Sequence, residues 1–315
     1  MIKNKVLLII GIAAIAVVSV FGDTDSLRRQ WQIPTSRIIE ESNRSMTVLL
    51  SREMPLVPDE YRFFSGRTKT AVINGVNVTF VKPAYLAVVI DDVPENWDNF
   101  RKTFLTLDIP MTFSVFPFVP NAKTLATIIR DAGFDVQIHM PMEPEDYPKM
   151  SPGPKAIFTF QSAEENIALI DEACKLLPEA VGLNNHMGSK STTDLAVMTP
   201  VLLRLKQKGM YFLDSKTSPK SICAVASAQT GVLYIANQLF LDDTQRTASV
   251  ADYLDRAAAI ALEKGYTVAI GHTYKETYEA ITSRIVNYEK RGIEFITVRE
   301  LISITRSSFY ERNGY

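Results

Sequence analysis

The chain has 315 residues, of which 46% are hydrophobic and 22% are charged, with 34 Lys and Arg against 35 Asp and Glu. The hydrophobic content is too high for a disordered chain, and the sequence lacks the sustained heptad repeat of a coiled coil. The even charge balance excludes a general attraction to nucleic acid, so we expect no nucleic-acid partner. Two cysteines, Cys174 and Cys223, are too few for a disulfide framework, and the sequence leaves their pairing open.

The N-terminus has the features of an export signal. Lys3 and Lys5 precede residues 6–22, VLLIIGIAAIAVVSVFG, a run without charges that is typical of the apolar region of a signal peptide. The run lies at the short limit for a membrane span. Residues 1–22 are therefore interpreted as either a cleaved signal peptide or a retained membrane anchor. Both alternatives predict an exported, periplasmic or otherwise extracytoplasmic protein, either soluble or attached to the membrane through residues 6–22.

Residues 23–83 mix charged residues, prolines and short apolar pieces without a sustained period. This pattern predicts a spacer with little core. Near its end, alternating apolar residues flank Asn74 and Gly75, a pair typical of a two-residue turn. We therefore expect a small β-hairpin at the end of the spacer.

Residues 84–305 alternate short apolar runs with segments of helical period, and residues 306–315 are interpreted as a tail. The predicted strands are 85–90, 111–116, 134–138, 180–185, 210–213, 238–241, 266–271 and 293–298. Among the predicted helices, one begins at Ser162 with Glu165 placed for a capping box, and two others end at Gly133 and Gly265. Eight strands alternating with helices predict an α/β domain, either a parallel barrel or a doubly wound sheet.

Ionisable residues follow five of the predicted strands. They are Asp91 with Asp92, His139, His186, Asp214 and His272, and they include all three histidines of the chain. Because the carboxyl ends of parallel strands lie on one face of the fold, we expect these side chains to meet there. One aspartate with two histidines is a ligand set that suits Zn²⁺.

Each of these residues also has a structural interpretation. Asp92 and Asp214 are placed where an aspartate commonly caps a helix or turn, and His139 is placed where a core histidine would bond to backbone. Asp91 is harder to explain in this way. Two adjacent carboxylates at the end of an apolar strand repel each other unless a cation or a proton is shared there.

Six sequence motifs of the chain resemble those of a known family. AVVIDDVPEN, MTFSVFP, IHMPMEP, GLNNHMGS, YFLDSKTS and AIGH, in this order between Ala84 and Ile304, resemble the divergent polysaccharide deacetylases, relatives of the NodB-type carbohydrate esterases. The resemblance implies a distorted or incomplete (β/α) barrel with the NodB-like deacetylase fold. It also implies a divalent metal, with Zn²⁺ as the expected ion, and the hydrolysis of an acetyl group from a glycan substrate.

The resemblance further implies roles for individual residues. Asp91 matches the general base, and His272 matches the general acid with Asp214 as its charge partner. The metal ligands would be Asp92, His139 and His186. Glu143, Asn184, Asn185 and Ser189 are candidates to face the substrate or to support the ligands. Phe118, Tyr147 and Tyr274 lie in the motif region as candidate sugar contacts, and the favoured interpretation of these three is that they are ordinary core or loop aromatics.

The chain departs from the NodB pattern at three places. NodB-type enzymes have a second metal histidine four residues after the first, where this chain has Glu143, and their third-motif arginine is missing. Val93 and Pro94 stand where the divergent family often has glycine. Two functions therefore stay open: a hydrolase that deacetylates an N-acetylated envelope polysaccharide or oligosaccharide, and a non-catalytic metal- or glycan-binding envelope protein. A hydrolase of another small amide or ester is a third alternative.

Overall fold

The computed structural model describes residues 24–34, 37–42, 45–50, 67–93, 98–153, 155–243 and 247–313. The predicted signal peptide or anchor at residues 1–22 lies outside these ranges. The chain divides into two compact units, Met1–Ala84 with Tyr288–Glu294, and Tyr85–Asn287 with Phe295–Tyr315. Within the described ranges, none of the helices combines the length and the apolar character that a membrane span requires.

The first unit contains a helix and a four-stranded sheet. Its elements are α1 (Thr24–Trp31), β1 (Ile38–Ser42), β2 (Ser45–Leu49), β3 (Thr68–Ile73) and β4 (Val76–Val81), and the strand order is β1-β2-β4-β3. Strands β3 and β4 are antiparallel and form the expected hairpin. Asn74 and Gly75 connect them with φ of 51° and 80°, the left-handed conformation that this type of turn requires.

The first unit also has a hydrophobic core, so the expectation of a spacer with little core is wrong. In β4, every second residue is buried, which places one face of the strand in the core. The buried members are Leu27, Trp31, Ile33, Met46, Val48, Leu50, Val76, Val78 and Phe80. They come from three separate segments with only a few apolar positions each, which explains why no sustained period is visible in the sequence.

The rest of the chain, from Ala84 onward, alternates strands and helices, and residues 288–294 within it are counted with the first unit. The elements of this part are β5 (Ala84–Asp91), α2 (Asp98–Lys102), β6 (Thr112–Val115), α3 (Ala122–Asp131), β7 (Asp135–Met142), α4 (Ala163–Leu176), β8 (Gly182–Met187), α5 (Leu195–Gln207), β9 (Tyr211–Asp214), α6 (Cys223–Thr230), β10 (Leu233–Ala236), β11 (Leu239–Phe240), α7 (Thr247–Lys264), β12 (Tyr266–His272), α8 (Lys275–Lys290), β13 (Ile293–Phe295) and α9 (Val298–Asn313). All eight predicted strands correspond to observed ones. The capping box of Ser162 and Glu165 is present at the start of α4.

The parallel strands curl into a barrel that does not close. Their order is β10-β9-β8-β7-β6-β5-β12-β11, so the edge strands β10 and β11 are consecutive in the chain. Asn237 and Gln238 join them across the gap. The Asn237 N–H donates to the Asp214 carbonyl at 2.9 Å, and the Gln238 N–H donates to the Val268 carbonyl at 3.1 Å. The predicted incomplete (β/α) barrel is therefore confirmed.

The ionisable residues lie near the carboxyl ends of the barrel strands. Asp91, Asp214 and His272 are the last residues of β5, β9 and β12. Strands β7 and β8 run on past His139 and His186, which lie inside them rather than after them. Cys174 and Cys223, whose pairing the sequence left open, are both free thiols.

Candidate metal centre

Asp92, His139 and His186 come together at the carboxyl end of the barrel. Asp92 Oδ1 lies 3.0 Å from His139 Nε2 and 3.2 Å from His186 Nδ1. The two imidazole nitrogens lie 3.1 Å from each other. The three atoms thus form a compact triangle from three different strand ends, as the sequence motifs predict.

The chemistry of these three groups fits a divalent metal ion. Asp92 Oδ1 is buried and has no hydrogen-bond partner among the described residues, although two imidazole nitrogens face it. Burial raises the pKa of Asp92, but the close approach of the His139 and His186 imidazoles outweighs burial and holds the pKa well below its usual range. An ionised carboxylate oxygen between two imidazoles is a donor set that binds zinc and related metals.

Two neighbours hold the histidine rings. Asn184 Oδ1 lies 2.7 Å from His139 Nδ1, which leaves Nε2 of this ring directed at Asp92. The Phe116 ring packs against both histidines, with its centroid 4.9 Å from each. Phe116 was not anticipated, because its place at the end of an apolar strand resembles that of any core residue.

Asp91 lies behind His139 rather than among the three ligand atoms. Its side chain is 3% exposed, whereas that of Asp92 is 37% exposed. Asp91 accepts hydrogen bonds from the Ser114 hydroxyl and from the Asn184 amide, and its Oδ2 lies 3.8 Å from His139 Nδ1. The adjacent acids therefore diverge, with Asp91 directed into the barrel and Asp92 toward the metal ligands.

His272 also reaches the centre, with Nε2 3.9 Å from Asp92 Oδ2. Its partner is Asp242, whose Oδ1 lies 2.8 Å from His272 Nδ1 and whose Oδ2 accepts the His272 N–H at 2.6 Å. The Thr277 hydroxyl donates to the same Oδ2 at 2.7 Å. Sequence reasoning missed Asp242, although it directly follows the predicted strand 238–241 and so carries the same signal as the other strand-end acids.

The expected partnership between Asp214 and His272 is therefore wrong. Asp214 is fully buried, and its carboxylate accepts the Lys216 N–H at 2.8 Å and the Ser221 hydroxyl at 2.6 Å. The Tyr234 hydroxyl donates to it at 3.3 Å. Asp214 thus caps the turn that follows β9, which was the structural alternative for this residue.

The protonation of His272 depends on Asp242. Burial lowers the pKa of His272, but the hydrogen bond and the charge of Asp242, together with the charges of Asp91 and Asp92, raise it to about 9. Imidazolium is therefore the neutral-pH form of His272 in the metal-free protein. Because the pKa is raised on folding, this group stabilises the fold fully below its unfolded value of about 6.5, and the stabilisation is lost as the pH rises through about 9.

Asp242→Asn is expected to lower the pKa of His272 toward its unperturbed value of about 6.5 because it removes the negative charge beside Nδ1. An NMR titration of the histidine rings in the metal-free protein measures the change directly. Asp243→Asn is the matched control, since Asp243 is the exposed neighbour of Asp242. A His272 pKa that is the same in the Asp242 variant and the control would contradict the assignment.

Glu143, at the position of the second NodB histidine, is buried and bound to other groups. Its Oε1 accepts the Lys190 ammonium at 2.8 Å, and its Oε2 accepts the N–H and the hydroxyl of Thr159, each at 2.7 Å. Burial raises its pKa, but the bonds from Lys190 and Thr159 outweigh this and lower it. Glu143 therefore joins two loops and does not belong to the ligand cluster.

Glu143→Gln is expected to lower the free energy of unfolding by about 2 kcal/mol, since a hydrogen bond to a charged group contributes roughly 1.5–3 kcal/mol. Its affinity for zinc, used as the probe ion, should stay within about threefold of the native value, because Asp92, His139 and His186 are untouched. Urea unfolding and zinc titration measure the two effects. Glu145→Gln, at an exposed position two residues away, is the control. Loss of zinc from the Glu143 variant alone would show that Glu143 belongs to the metal site.

The remaining candidate residues, Asn185 and Ser189, bond to the loops around the centre. Asn185 donates to the Met187 carbonyl at 2.7 Å and accepts the Ser215 N–H at 2.9 Å. Ser189 Oγ accepts the Glu145 N–H at 2.9 Å. The three aromatics lie as follows: Tyr274 against His272 with centroids 5.6 Å apart, Tyr147 against Phe158, and Phe118 beneath Lys155.

A comparison with known protein families assigns the chain to one of them. The family described as divergent polysaccharide deacetylase matches residues 88–302, which cover most of the barrel and all three residues of the candidate metal centre. The chain belongs to this family. Its incomplete barrel is accordingly of the NodB-like deacetylase type.

Two curated relatives match the chain. The uncharacterised protein YibQ of Escherichia coli K12 is 35% identical over 205 residues, which cover 64% of this chain and 62% of that protein. An uncharacterised protein of Haemophilus influenzae Rd is 31% identical over 202 residues, which cover 64% of this chain and 71% of that protein. The chain thus matches less than two thirds of the length of YibQ.

A solved structure shares the fold. The crystal structure of the uncharacterised protein ATU2773 from Agrobacterium tumefaciens C58 superposes with a TM-score of 0.64 at 19% identity. The superposition covers 77% of this chain and 94% of that one. At this identity the likeness shows the fold alone.

Proposed function

We propose that the protein is a metal-dependent hydrolase that removes acetyl groups from an N-acetylated polysaccharide or oligosaccharide of the cell envelope. The triangle of Asp92, His139 and His186 carries this proposal, because its ligand atoms lie 3.0 to 3.2 Å from one another beside a fourth titratable group, His272. Membership of the divergent polysaccharide deacetylase family supports the reaction class.

The proposed cofactor is one Zn²⁺ ion held by Asp92 Oδ1, His139 Nε2 and His186 Nδ1. Structural zinc sites are closed by four protein ligands, whereas catalytic sites use three and keep a position open. The Asp92 side chain is partly exposed, which allows access to that position. When bound, the ion would lower the pKa of a water molecule to near neutral pH, and it would also polarise the acetyl carbonyl of the substrate.

The remaining groups move protons in the proposed reaction. Asp91 is the proposed acceptor of the proton of the attacking water, a role that requires its buried carboxylate to be reached from the centre when substrate binds. His272 is the proposed donor of a proton through Nε2 to the departing sugar amine. Asp242 holds His272 by its Nδ1, so that Nε2 faces the centre. The products are acetate and a free amine on the sugar. General acid-base catalysis by such groups contributes roughly 10²- to 10⁴-fold to the rate.

We also propose that the barrel acts outside the cytoplasm. The charged and apolar segments of residues 1–22 support export, through either a cleaved signal peptide or a retained anchor. An envelope glycan is then the acetylated polymer that the protein would meet.

A non-catalytic role in binding metal or glycan is the second candidate function. The residue at the position of the second NodB histidine, Glu143, is bound to Lys190 and Thr159 and contributes nothing to a metal shell. The arginine of the third NodB motif is also missing. A scaffold that had lost turnover would show such departures.

Metal analysis and acetate release from the purified protein distinguish the two functions. We expect one zinc per chain, and acetate release from N-acetylated oligosaccharides that chelation abolishes and zinc restores. Stoichiometric zinc without acetate from a broad glycan panel would favour the binding role. Absence of both zinc and acetate would contradict the proposed function. A simple acetyl ester in the same assay tests the third alternative, a hydrolase of other acyl groups.

A further inference from the structure

The metal ligand His139 is hydrogen-bonded to Asp91 through one intermediate side chain, that of Asn184. The Asn184 amide nitrogen lies 2.9 Å from Asp91 Oδ1 and 3.0 Å from Asp91 Oδ2. On its other side, Asn184 Oδ1 lies 2.7 Å from His139 Nδ1. All three residues are at most 2% exposed, so water does not compete for these bonds.

The carboxylate of Asp91 determines which way the Asn184 amide points. A carboxylate only accepts hydrogen bonds, whereas the two ends of an amide differ, one donating and the other accepting. The reverse orientation would place the Asn184 oxygen about 3 Å from both carboxylate oxygens, with no hydrogen between them. The nitrogen of Asn184 therefore faces Asp91, and its oxygen faces His139.

This orientation determines which nitrogen of His139 is free to bind metal. Asn184 Oδ1 can only accept, so Nδ1 of His139 carries the hydrogen. Nε2 then has a free lone pair, and Nε2 is the nitrogen 3.0 Å from Asp92 Oδ1. A partner that fixes the tautomer of a ligating histidine in this way is a common feature of metal sites.

A second set of hydrogen bonds holds Asp91 from inside the barrel. The Tyr211 hydroxyl donates to Gln137 Oε1 at 2.8 Å, and the Gln137 amide donates to Ser114 Oγ at 2.7 Å. Because Gln137 occupies the Ser114 oxygen, the Ser114 hydroxyl hydrogen is directed to Asp91 Oδ1. A Cβ at Gly182 would lie 2.2 Å from the Tyr211 ring, so the neighbouring strand admits Tyr211 only because glycine is there.

These contacts form one directional network with Asp91 as the common acceptor. Donors approach Asp91 both from Ser114 and from Asn184, and none of them is charged. We propose that Asn184 is a positioning residue that selects Nε2 of His139 as the metal-binding nitrogen, with Asp91 setting the orientation of its amide. The inference rests on the metal-binding part of the proposed function and requires no acetyl chemistry.

NMR of the zinc-loaded native protein tests the proposal without any substitution. Two-bond couplings in the ¹⁵N-labelled imidazole rings identify which nitrogen carries a hydrogen and which binds zinc. We expect His139 to carry a slowly exchanging hydrogen on Nδ1 and zinc on Nε2. Zinc on Nδ1 of His139 would overturn the proposal.

Asn184→Leu removes both hydrogen-bonding ends at similar volume. We expect zinc affinity to fall by about 10- to 100-fold, the range seen when such a supporting partner is lost, and the Nδ1 hydrogen of His139 to exchange rapidly. Asn166→Leu is the matched control, because this asparagine is equally buried and bonds to the backbone of Phe158, away from the ligand cluster. Its zinc affinity and His139 signal should be unchanged.

A folded Asn184→Leu protein that binds zinc within threefold of the native affinity would overturn the proposal. Asn184→Ser, with a smaller polar side chain, provides the same two readouts where the leucine variant does not fold. The outcomes also separate this proposal from the proposed function. Zinc on the expected nitrogen without acetate release would refute only the deacetylase, zinc on the wrong nitrogen would refute only the role of Asn184, and native protein that binds no zinc would refute both.

Discussion

His186→Ala is expected to abolish stoichiometric zinc binding and, with it, acetate release. The substitution removes one of three protein ligands, and His186 Nδ1 lies 3.1 and 3.2 Å from the other two ligand atoms. Loss of a supporting partner alone weakens metal binding by about 10- to 100-fold, so loss of a ligand should exceed this range. Competition with a coloured chelator measures the affinity, and elemental analysis measures the stoichiometry. His139→Ala should give the same result.

His272→Ala is the matched control for this experiment. It removes the remaining histidine of the chain, whose Nδ1 is bound to Asp242 and whose Nε2 lies 3.9 Å from Asp92 Oδ2. We expect this variant to keep one zinc per chain and to lose turnover, because the proposed general acid and not a proposed ligand is removed. A His186→Ala protein with native zinc affinity would remove His186 from the ligand set.

The origin of His186 explains how the centre can form without the NodB spacing. The second histidine of that spacing would lie at position 143, four residues beyond His139, whereas His186 comes from the neighbouring strand β8. Strands β7 and β8 pair in parallel with Pro141 opposite His186, so the two histidines lie on the same face of neighbouring strands, two residues apart in register. The second imidazole is thus supplied across a strand pair, and Glu143 is left to join loops.

The convergence of the strand-end residues could be predicted from the sequence because it depends on general properties of parallel sheets, while the resemblance to the family singled out Asp92, His139 and His186 among them. Apolar runs mark the strands, and polar residues near their carboxyl ends lie on one face whatever the strand order. The same reasoning could not choose between Asp214 and Asp242 as the partner of His272. That choice depends on which strands are neighbours.

Strand order is where the sequence pattern is least informative. Asp214 ends β9, while β11, which precedes Asp242, pairs directly with β12 and so lies beside His272. The chain reaches β11 by crossing the gap of the barrel after β10, a four-residue strand that sequence reasoning missed. Without β10, nothing indicates that the chain has passed from one edge of the sheet to the other.

The first unit shows a different limit. Its core is assembled from Leu27 and Trp31 of α1 with alternate residues of β2 and β4, and each element contributes only two or three apolar side chains. Periodicity needs a longer run to be visible. The sequence of a sheet with short strands and intervening polar segments therefore shows no sustained period and resembles that of a spacer.

Asp91→Asn is expected to reduce turnover by roughly 10²- to 10⁴-fold at saturating zinc, while zinc affinity falls by less than in Asn184→Leu, because the variant loses the proposed general base and keeps the three proposed ligands. Both Asp91 oxygens lie 2.9 to 3.0 Å from the Asn184 amide nitrogen, and the new amide keeps only one of these acceptors, so the orientation that supports His139 is weakened but not lost. Acetate release under saturating zinc measures turnover, and chelator competition measures the affinity. Asp243→Asn, at an exposed acid outside the cluster, is the control.

The two measurements together separate the two roles of Asp91. If Asp91 only held the Asn184 amide, zinc affinity and turnover would change together, and at saturating zinc the variant would be as active as the native protein. If Asp91 accepts the proton of the attacking water, turnover stays low however much zinc is added. Full activity of the Asp91 variant at saturating zinc would therefore reject the general base and leave Asp91 as the residue that orients Asn184.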